Sequence, residues 1–572
     1  MVRFFRGWLT TPRGWWLICI CVAAIVIWPA RCRIFSDALN YLDIASEASQ
    51  GNLRALGNSY WGPAYPAILA IGLALFRPSP AWELPLMQLV NFLIFILALW
   101  TFSLFYRVWS GSNPAADQAG SADTGLSTAF AFGSFLWFTA SLIELSLSTP
   151  DMLVAAWVFG VAALGSWLSR PGAVLKHFAG LGALLGAGIY IKAALLPLSI
   201  AFIGSLFLSM RRTSVIPLRR QLVSLGVSTA MCLLVAAPLI SWFSVQKGQF
   251  STGDTGRLAY LWYVDELKPS HAGWTGGTPE YGTPLHPPRK LMDDPEVLEF
   301  ATPIPGTYPL NYSQGYWYAG ATPVFNLRKQ VIALAKSLQT YLEIPILFFG
   351  FDGFLAGAVL LFVLGRGKSR SAQPPRISLW LVAWPLAACA MYSIVLVEWR
   401  YVAVFLLLLC LELYRALASR VERRVASIIC ALVLLVAMAP LGLLVARSLV
   451  KTVAQFRHPA DEDWVVVAKN LQRLGLKPGD KLASVGKPLS PFYARYDRLQ
   501  IVAQIEDPLE YWQMNPAEAK LVENRLASIG VKALVALDRP PGYPEPGWKN
   551  VGSYAAGSLS VFLLQPANEA SR

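Results

Sequence analysis

The sequence predicts an α-helical polytopic membrane protein with extracytoplasmic loops and a small C-terminal α/β domain. Three observations predict it. Hydrophobic residues fill 55% of the 572 positions and charged residues only 14%, with a mean hydropathy of +0.47, far more apolar than a soluble chain of this length. The apolar residues fall in runs, most of them near the roughly 20 residues that a membrane span needs, and the basic residues fall in short clusters between the runs. Beyond about residue 456 the runs stop, and strand-like and helix-like segments of ordinary polarity take over.

Those basic clusters account for the net charge of +14. In a soluble chain such a balance suggests nucleic acid; here the cations set topology, and no nucleic-acid partner is expected. The seven cysteines (Cys19, Cys21, Cys32, Cys232, Cys389, Cys410 and Cys430) lie in or beside apolar runs, and the long polar regions hold none. Neither a disulfide framework nor a Cys-x-x-Cys metal site is expected. No cofactor is called for, and a divalent metal is not supported by ligand spacing, since His271 and His286 stand without other ligand-like neighbours. The N-terminus has a basic region and an apolar core without a clear small-residue cleavage site, so it reads as a retained first span and not as a signal peptide.

In order, Arg3, Arg6 and Arg13 precede the run from Trp15 to Ala30, which puts the N-terminus in the cytoplasm and residue 31 onward outside. The piece from Ala64 to Phe76 is short for a span and reads as a helix in the membrane interface or re-entering it. The runs Leu84 to Tyr106, Leu126 to Leu145, Met152 to Leu168, Phe178 to Ile191, Ala193 to Leu208 and Leu222 to Phe243 alternate across the membrane, with Arg107, Arg170, Lys176, Arg211, Arg212, Arg219 and Arg220 all on one side. A second set follows: Ile344 to Leu364, Ile377 to Leu396, Val402 to Leu413 and Val425 to Val445. Its clusters, Arg366, Lys368, Arg370 and Arg376, then Arg415, Arg420, Arg423 and Arg424, fall on the same side. About eleven transmembrane helices result. The expected division is a transmembrane domain over 1–447, with outer loops at 31–83 and 244–342, and an extracytoplasmic α/β domain over 448–572. In that last domain KLASVG, LQIVAQI, VKALVAL and LSVFLLQ read as strands, and Asp461 to Leu474 and Pro516 to Ile529 as helices. It shows no phosphate-binding glycine loop and no triad, and no chemistry is assigned to it.

This topology gathers distant residues on the outer face: Asp37 and Asp43 after the first span, Asp151 in STPDML, Lys192 in YIKAALLP, and Glu398, Arg400 and Tyr401 in VEWRYV. Ionisable groups near spans tend to be paired or functional. Taken singly each has a plainer reading. Lys192 and Arg400 can snorkel to headgroups, Asp151 can be a first-turn acid after Pro150, and Asp43 reads as a solvated loop charge. Together they match what sugar transfer from a polyprenyl phosphate requires. A carboxylate takes the proton of the attacking group, cations neutralise the departing phosphate, and an apolar groove open to the bilayer holds the polyprenyl tail.

The order of DALNYLDIA, WGPAYPAIL, STPDML, YIKAALLP and WRYVAVFL resembles the membrane glycosyltransferases with the GT-C fold, especially the protein mannosyltransferase and aminoarabinose transferase branch, over roughly residues 15 to 410. The resemblance implies Asp37 as the catalytic acid of the first outer loop, Asp151 as the second outer acid and second catalytic candidate, and Lys192 and Arg400 near the donor phosphate. Tyr41, Glu398 and Tyr401 join them as substrate-binding candidates. It implies a polyprenyl-phosphate-linked sugar donor, a lipid, glycan or protein acceptor, surrounding membrane lipids, and an active site outside the inner (plasma) membrane. Two departures stand out: Ala38 where the family often has Glu, and Gly62 where it has His or Lys before the Pro-rich turn.

The long outer region from Ser244 to Leu342 is rich in Tyr, Trp, Pro and Gly. Its aromatics suit either an acceptor-binding lid or a small loop-rich core with interfacial anchors. The competing function class is a polar-lipid transporter or flippase, which calls for repeated halves and broken helices near mid-membrane. The sequence shows no internal repeat and keeps its charges at span ends. A lipid-linked glycan ligase or polymerase shares the donor chemistry and is not separable by sequence.

Overall fold

Every predicted span is helical in the computed structural model, which describes residues 11–111, 121–169, 174–213, 217–267, 279–300, 305–366, 377–458, 461–488, 490–540, 547–554 and 557–565. Arg3, Arg6, Arg170, His271, Lys368, Arg370 and Arg376 lie outside the described residues. Among the described residues, eight helices are long and apolar enough to cross a membrane, and a bent pair makes a ninth if counted as one span. Leu175–Ile191 and Leu379–Ser393, at 17 and 15 residues, reach only about 26 and 23 Å at 1.5 Å per residue, short of a bilayer core about 30 Å thick.

The span expected from Ile344 to Leu364 is not one straight helix. Leu327–Leu347 and Phe351–Gly365 meet at 95°. Gly350 turns the chain at φ +107°, a conformation that costs glycine nothing, and its N–H donates to Asp352 Oδ1 at 2.9 Å. Pro345, inside the first helix, has already removed one helical donor.

The chain packs as two units, each assembled from three stretches. The first comprises Met1–Arg31, Gln88–Val264 and Phe325–Phe456, and its interior is aromatic. Phe102 stacks on Phe135 at 4.7 Å and meets Phe132 and Phe159 edge-on, while Trp384 packs on Trp157, Phe202 and Phe405. Buried indoles need a partner for their N–H. Trp157 donates to the Leu184 carbonyl and Trp384 to that of Leu198, which pins neighbouring helices in register.

The second unit comprises Cys32–Met87, Asp265–Val324 and Arg457–Arg572. Its centre is a seven-stranded sheet: β1 (Arg289–Asp293), β2 (Glu296–Glu299), β3 (Lys481–Val485), β4 (Gln500–Ile505), β5 (Val531–Leu537), β6 (Lys549–Tyr554) and β7 (Gly557–Leu563), in the order β1-β2-β4-β3-β5-β7-β6. β3 pairs parallel with β4 and β5, and every other pairing is antiparallel. The parallel centre is buried on both faces, as such strands require, against Tyr511, Trp512, Val522 and Leu526. The four predicted strands are β3, β4, β5 and β7. The hairpin β1-β2 comes from the long loop, with Val297 opposite Ile505 and Glu299 opposite Ala503, and the helix that precedes the C-terminal segment runs on to Arg457. The loop aromatics Tyr308, Tyr312, Trp317 and Tyr318 are buried and form a small core, Trp317 donating to the Pro309 carbonyl and Tyr308 to Gln504.

Candidate active site

Polar residues on the Glu83–Ser110 helix prepare the approach to Asp151. Gln88 Nε2 donates to the Ser146 carbonyl at 2.8 Å and to Ser148 Oγ at 3.0 Å, and Asn91 Nδ2 donates to the Leu147 carbonyl. They fix the loop that follows a π-helical turn at Phe138–Ile143, a distortion often found beside functional sites. From there Pro150 and Asp151 open the helix Asp151–Leu168. The Asp151 carboxylate is 3% exposed. Thr149 Oγ1 donates to its Oδ2 at 2.8 Å, Lys192 Nζ stands 2.5 Å from its Oδ1, and an Arg400 Nη stands 3.5 Å from its Oδ2.

Three separate helix ends supply this cluster. Lys192 follows the last turn of Leu175–Ile191, and Arg400 and Tyr401 lie in the first turn of Trp399–Ala418. The Tyr401 ring lies under both cations, 3.9 Å from Lys192 Nζ and 5.1 Å from the Arg400 guanidinium carbon. An aromatic face so placed attracts each of them. One carboxylate between two cations leaves the cluster with a net positive charge, and Lys192 and Arg400 remain 23% and 14% exposed. The geometry suits an anion. Glu398 is half-buried before the same helix, where its carbonyl accepts from the Tyr401 N–H at 2.9 Å.

The second unit holds the other candidates. Asp37 lies half-buried in the first turn of Ser36–Ser49, where an acid is favoured by the helix dipole. Tyr41, one turn on, is packed edge-on against Trp61 and Tyr65 and is buried, so its ring belongs to the packing of this helix on Ala64–Phe76. Between them in sequence sits Asn40, 0% exposed, whose amide has no hydrogen-bond partner among the described residues. A buried amide left unsatisfied costs about 1–3 kcal/mol and asks for an explanation.

Asp43, expected to be a solvated loop charge, is instead buried in an ion-pair network. Arg495 donates to Asp43 Oδ1 and, at 2.8 Å, to Glu83 Oε2 and, at 2.7 Å, to Ser46 Oγ. Arg498 takes the other Glu83 oxygen at 2.7 Å, and the Thr307 N–H and Oγ1 donate to Asp43 at 2.8 and 3.0 Å. Burial pushes the Asp43 carboxyl up from its ordinary value, against the pull of Arg495 and Thr307. The C-terminal segment, which by sequence carries no chemistry and suits a cap over the site or a hold on the acceptor, thus also holds the helix that carries Asp37. Glu83, Arg495 and Arg498 were missed, and Asp43 was misread, because their charged partners are hundreds of positions apart; Gln88, Asn91 and Thr149 were missed because neutral polar residues in apolar runs give no pattern. Among the described residues no group of three or more His, Cys, Asp or Glu gathers as a metal site.

No family model matches the chain, and no curated protein matches it in sequence. Its fold is similar to that of ArnT from Cupriavidus metallidurans bound to undecaprenyl phosphate, with a TM-score of 0.54 and 14% identity over 96% of this chain and 98% of that one. It is also similar to the oligosaccharyltransferase of Archaeoglobus fulgidus in complex with Zn and sulfate, with a TM-score of 0.50 and 12% identity over 91% of this chain and 68% of that one. At such identities the likeness speaks for the fold, and this chain has the GT-C fold of those two glycosyltransferases.

Proposed function

We propose that the protein is an inverting glycosyltransferase of the inner membrane, moving a sugar from a polyprenyl-phosphate donor to a lipid, glycan or protein acceptor on the outer face. The observation that carries this reading is the convergence of Lys192, Arg400 and Tyr401 on Asp151 from three helix ends. The likeness of the fold to ArnT bound to undecaprenyl phosphate supports the same reading. Lys192 and Arg400 take the donor phosphate, the arginine through its planar fork, and stabilise the charge that grows as the polyprenyl phosphate leaves. Asp151 already accepts from Thr149 and Lys192, so its work is to orient the two cations and not to take a proton. Asp37 takes the proton from the acceptor hydroxyl or amine. The acceptor attacks the anomeric carbon from the face opposite the phosphate, the bond from that carbon to the phosphate oxygen breaks, and polyprenyl phosphate departs with the electron pair.

A transporter or flippase is the second reading; the break between Leu327–Leu347 and Phe351–Gly365 is the feature it would draw on, although Gly350 stands near the start of the expected span and not at its middle. Native mass spectrometry of the purified protein separates the two when wild type is compared with a Lys192→Ala, Arg400→Ala double variant and with Asp37→Asn. The expected result is a co-purified polyprenyl-phosphate sugar, absent from the double variant and retained but not transferred by Asp37→Asn. Full transfer by Asp37→Asn removes the base. Equal retention of donor by the double variant removes the phosphate site.

A further inference from the structure

We propose that the groove between the N-terminal ends of the helices Leu175–Ile191 and Leu218–Lys247 binds the phosphate of an anionic phospholipid. This goes beyond the transfer reaction. Lys192 closes the first of these helices and Lys176 opens it, so the groove lies about 24 Å from the candidate active site at 1.5 Å per residue.

The sequence sets the two helices side by side. Gly182 and Gly186 are one turn apart, and a Cβ at either would collide with the carbonyl of Ser228 or Cys232, the close approach that small residues allow between membrane helices. Ser228 Oγ donates to the Phe178 carbonyl at 2.7 Å, and Tyr190 donates to the Val235 carbonyl at 3.0 Å. Contacts advance along both helices in the same direction, so the pair is parallel. Both N-termini therefore face the same way.

Between them lies a cavity of about 700 Å³ lined by Leu175, Lys176, Arg219, Arg220, Val223 and Ser224, among others. Three cations here oppose both helix dipoles, which favour negative charge at an N-terminus. None of the three has an acidic partner among the described residues. An anion placed here gains from the cations and from the free N–H groups of two helix ends at once. Leu175, Leu218, Leu222 and Val223 are exposed beside the cations, giving acyl chains an apolar face next to the charge. Charge and apolar surface together select a lipid headgroup over a free phosphate, and basic pockets between membrane helices are a recurrent site for such headgroups.

The test uses the full-length protein in detergent, offered equal amounts of dioleoyl phosphatidylglycerol and dioleoyl phosphatidylcholine and read by native mass spectrometry. Wild type should retain one phosphatidylglycerol at least tenfold in preference, and a Lys176→Gln, Arg219→Gln, Arg220→Gln variant should lose that preference. The matching Arg420→Gln, Arg423→Gln, Arg424→Gln variant, with the same charge removed elsewhere, should keep it. Val223→Glu, at an exposed position, should abolish retention without disturbing the fold, and the Lys192→Ala, Arg400→Ala variant should leave it unchanged even though its donor is lost. Equal retention of the two lipids by wild type, or the same loss in both triple variants, overturns the site. Displacement by micromolar inorganic phosphate overturns the lipid assignment.

Discussion

Asp151 and Lys192 meet at 2.5 Å across the ends of two different helices, the acid opening one and the base closing the other. Each charge sits where its own helix dipole favours it, so the pair is prepared before it forms. Asp151→Asn leaves Lys192 and Arg400 facing each other without a counter-ion. Breaking one partner out of a buried pair costs about 3–5 kcal/mol, so the expected outcome is a lower melting temperature in detergent together with weaker donor retention. Thr149→Val, which removes one neutral donor to Asp151 Oδ2, should cost about 1 kcal/mol and keep the donor. A wild-type melting temperature in Asp151→Asn would show that the cations need no anchor.

Arg495 is buried against two carboxylates. Arg495→Met strands Asp43 and Glu83 and should destabilise the second unit by about 3–5 kcal/mol, seen as faster proteolysis in urea. Arg495→Lys should not rescue it, because a point-like ammonium cannot fork between Asp43, Glu83 and Ser46. Rescue by lysine would reduce the network to simple charge.

Asn40→Leu exchanges an unsatisfied buried amide for an apolar group of similar size. The folded protein should gain about 1–3 kcal/mol, while kcat/KM for transfer should fall if the amide serves substrate one turn from Asp37. A gain in stability at unchanged activity would make Asn40 a purely structural oddity. Both quantities come from one preparation, by thermal shift and by radiolabelled sugar transfer.

Glu506, after β4, has its carboxyl pushed up from 4.5 to about 7, first by burial and then by Glu296, with Lys487 opposing. Asp497 is pushed up from 3.8 to about 6, mainly by burial, with the Gln472 hydrogen bond opposing. A raised carboxyl holds its proton in the folded state after the unfolded chain has released it, so stability falls as pH rises through each window. The penalty is absent below about pH 4 and complete above about pH 7. Glu506→Gln should flatten the upper part of that fall, which a melting series from pH 4 to 8 would reveal. A melting temperature that rises over the same range would contradict it.

Much of the fold could be read from the sequence because apolar runs and basic clusters are local signals. Lys192 and Arg400, which lie together beside Asp151, could be singled out in the sequence because they are charges at run ends. Asp43 was misread because Arg495 is 452 positions away, and nothing near DALNYLDIA announces that partner. β1 and β2 were missed since RKLMDDPEVLE does not alternate and its burial comes from β4. β6 was missed because Gly552 interrupts its pattern and shifts its register against β7. The bend at Gly350 hid inside an apolar run interrupted only by Asp352, since glycine is neutral to hydropathy but not to backbone direction.

The seven-stranded sheet has a consequence for biosynthesis. A ribosome delivers the β1-β2 hairpin first, then the helices from Leu327–Leu347 to Arg423–Arg457, and only afterwards β4, against which β2 pairs. Until then the hairpin has an unpaired edge, and such edges invite aggregation while a nascent chain waits. Completing the sheet is therefore among the last events of folding, and because Arg495 lies between β3 and β4, Asp43 stays without its counter-ion for the same interval. A stop codon after the helix Arg423–Arg457 would leave β2 without β4 and Asp43 without Arg495, while the Asp37 helix keeps its packing on Ala64–Phe76.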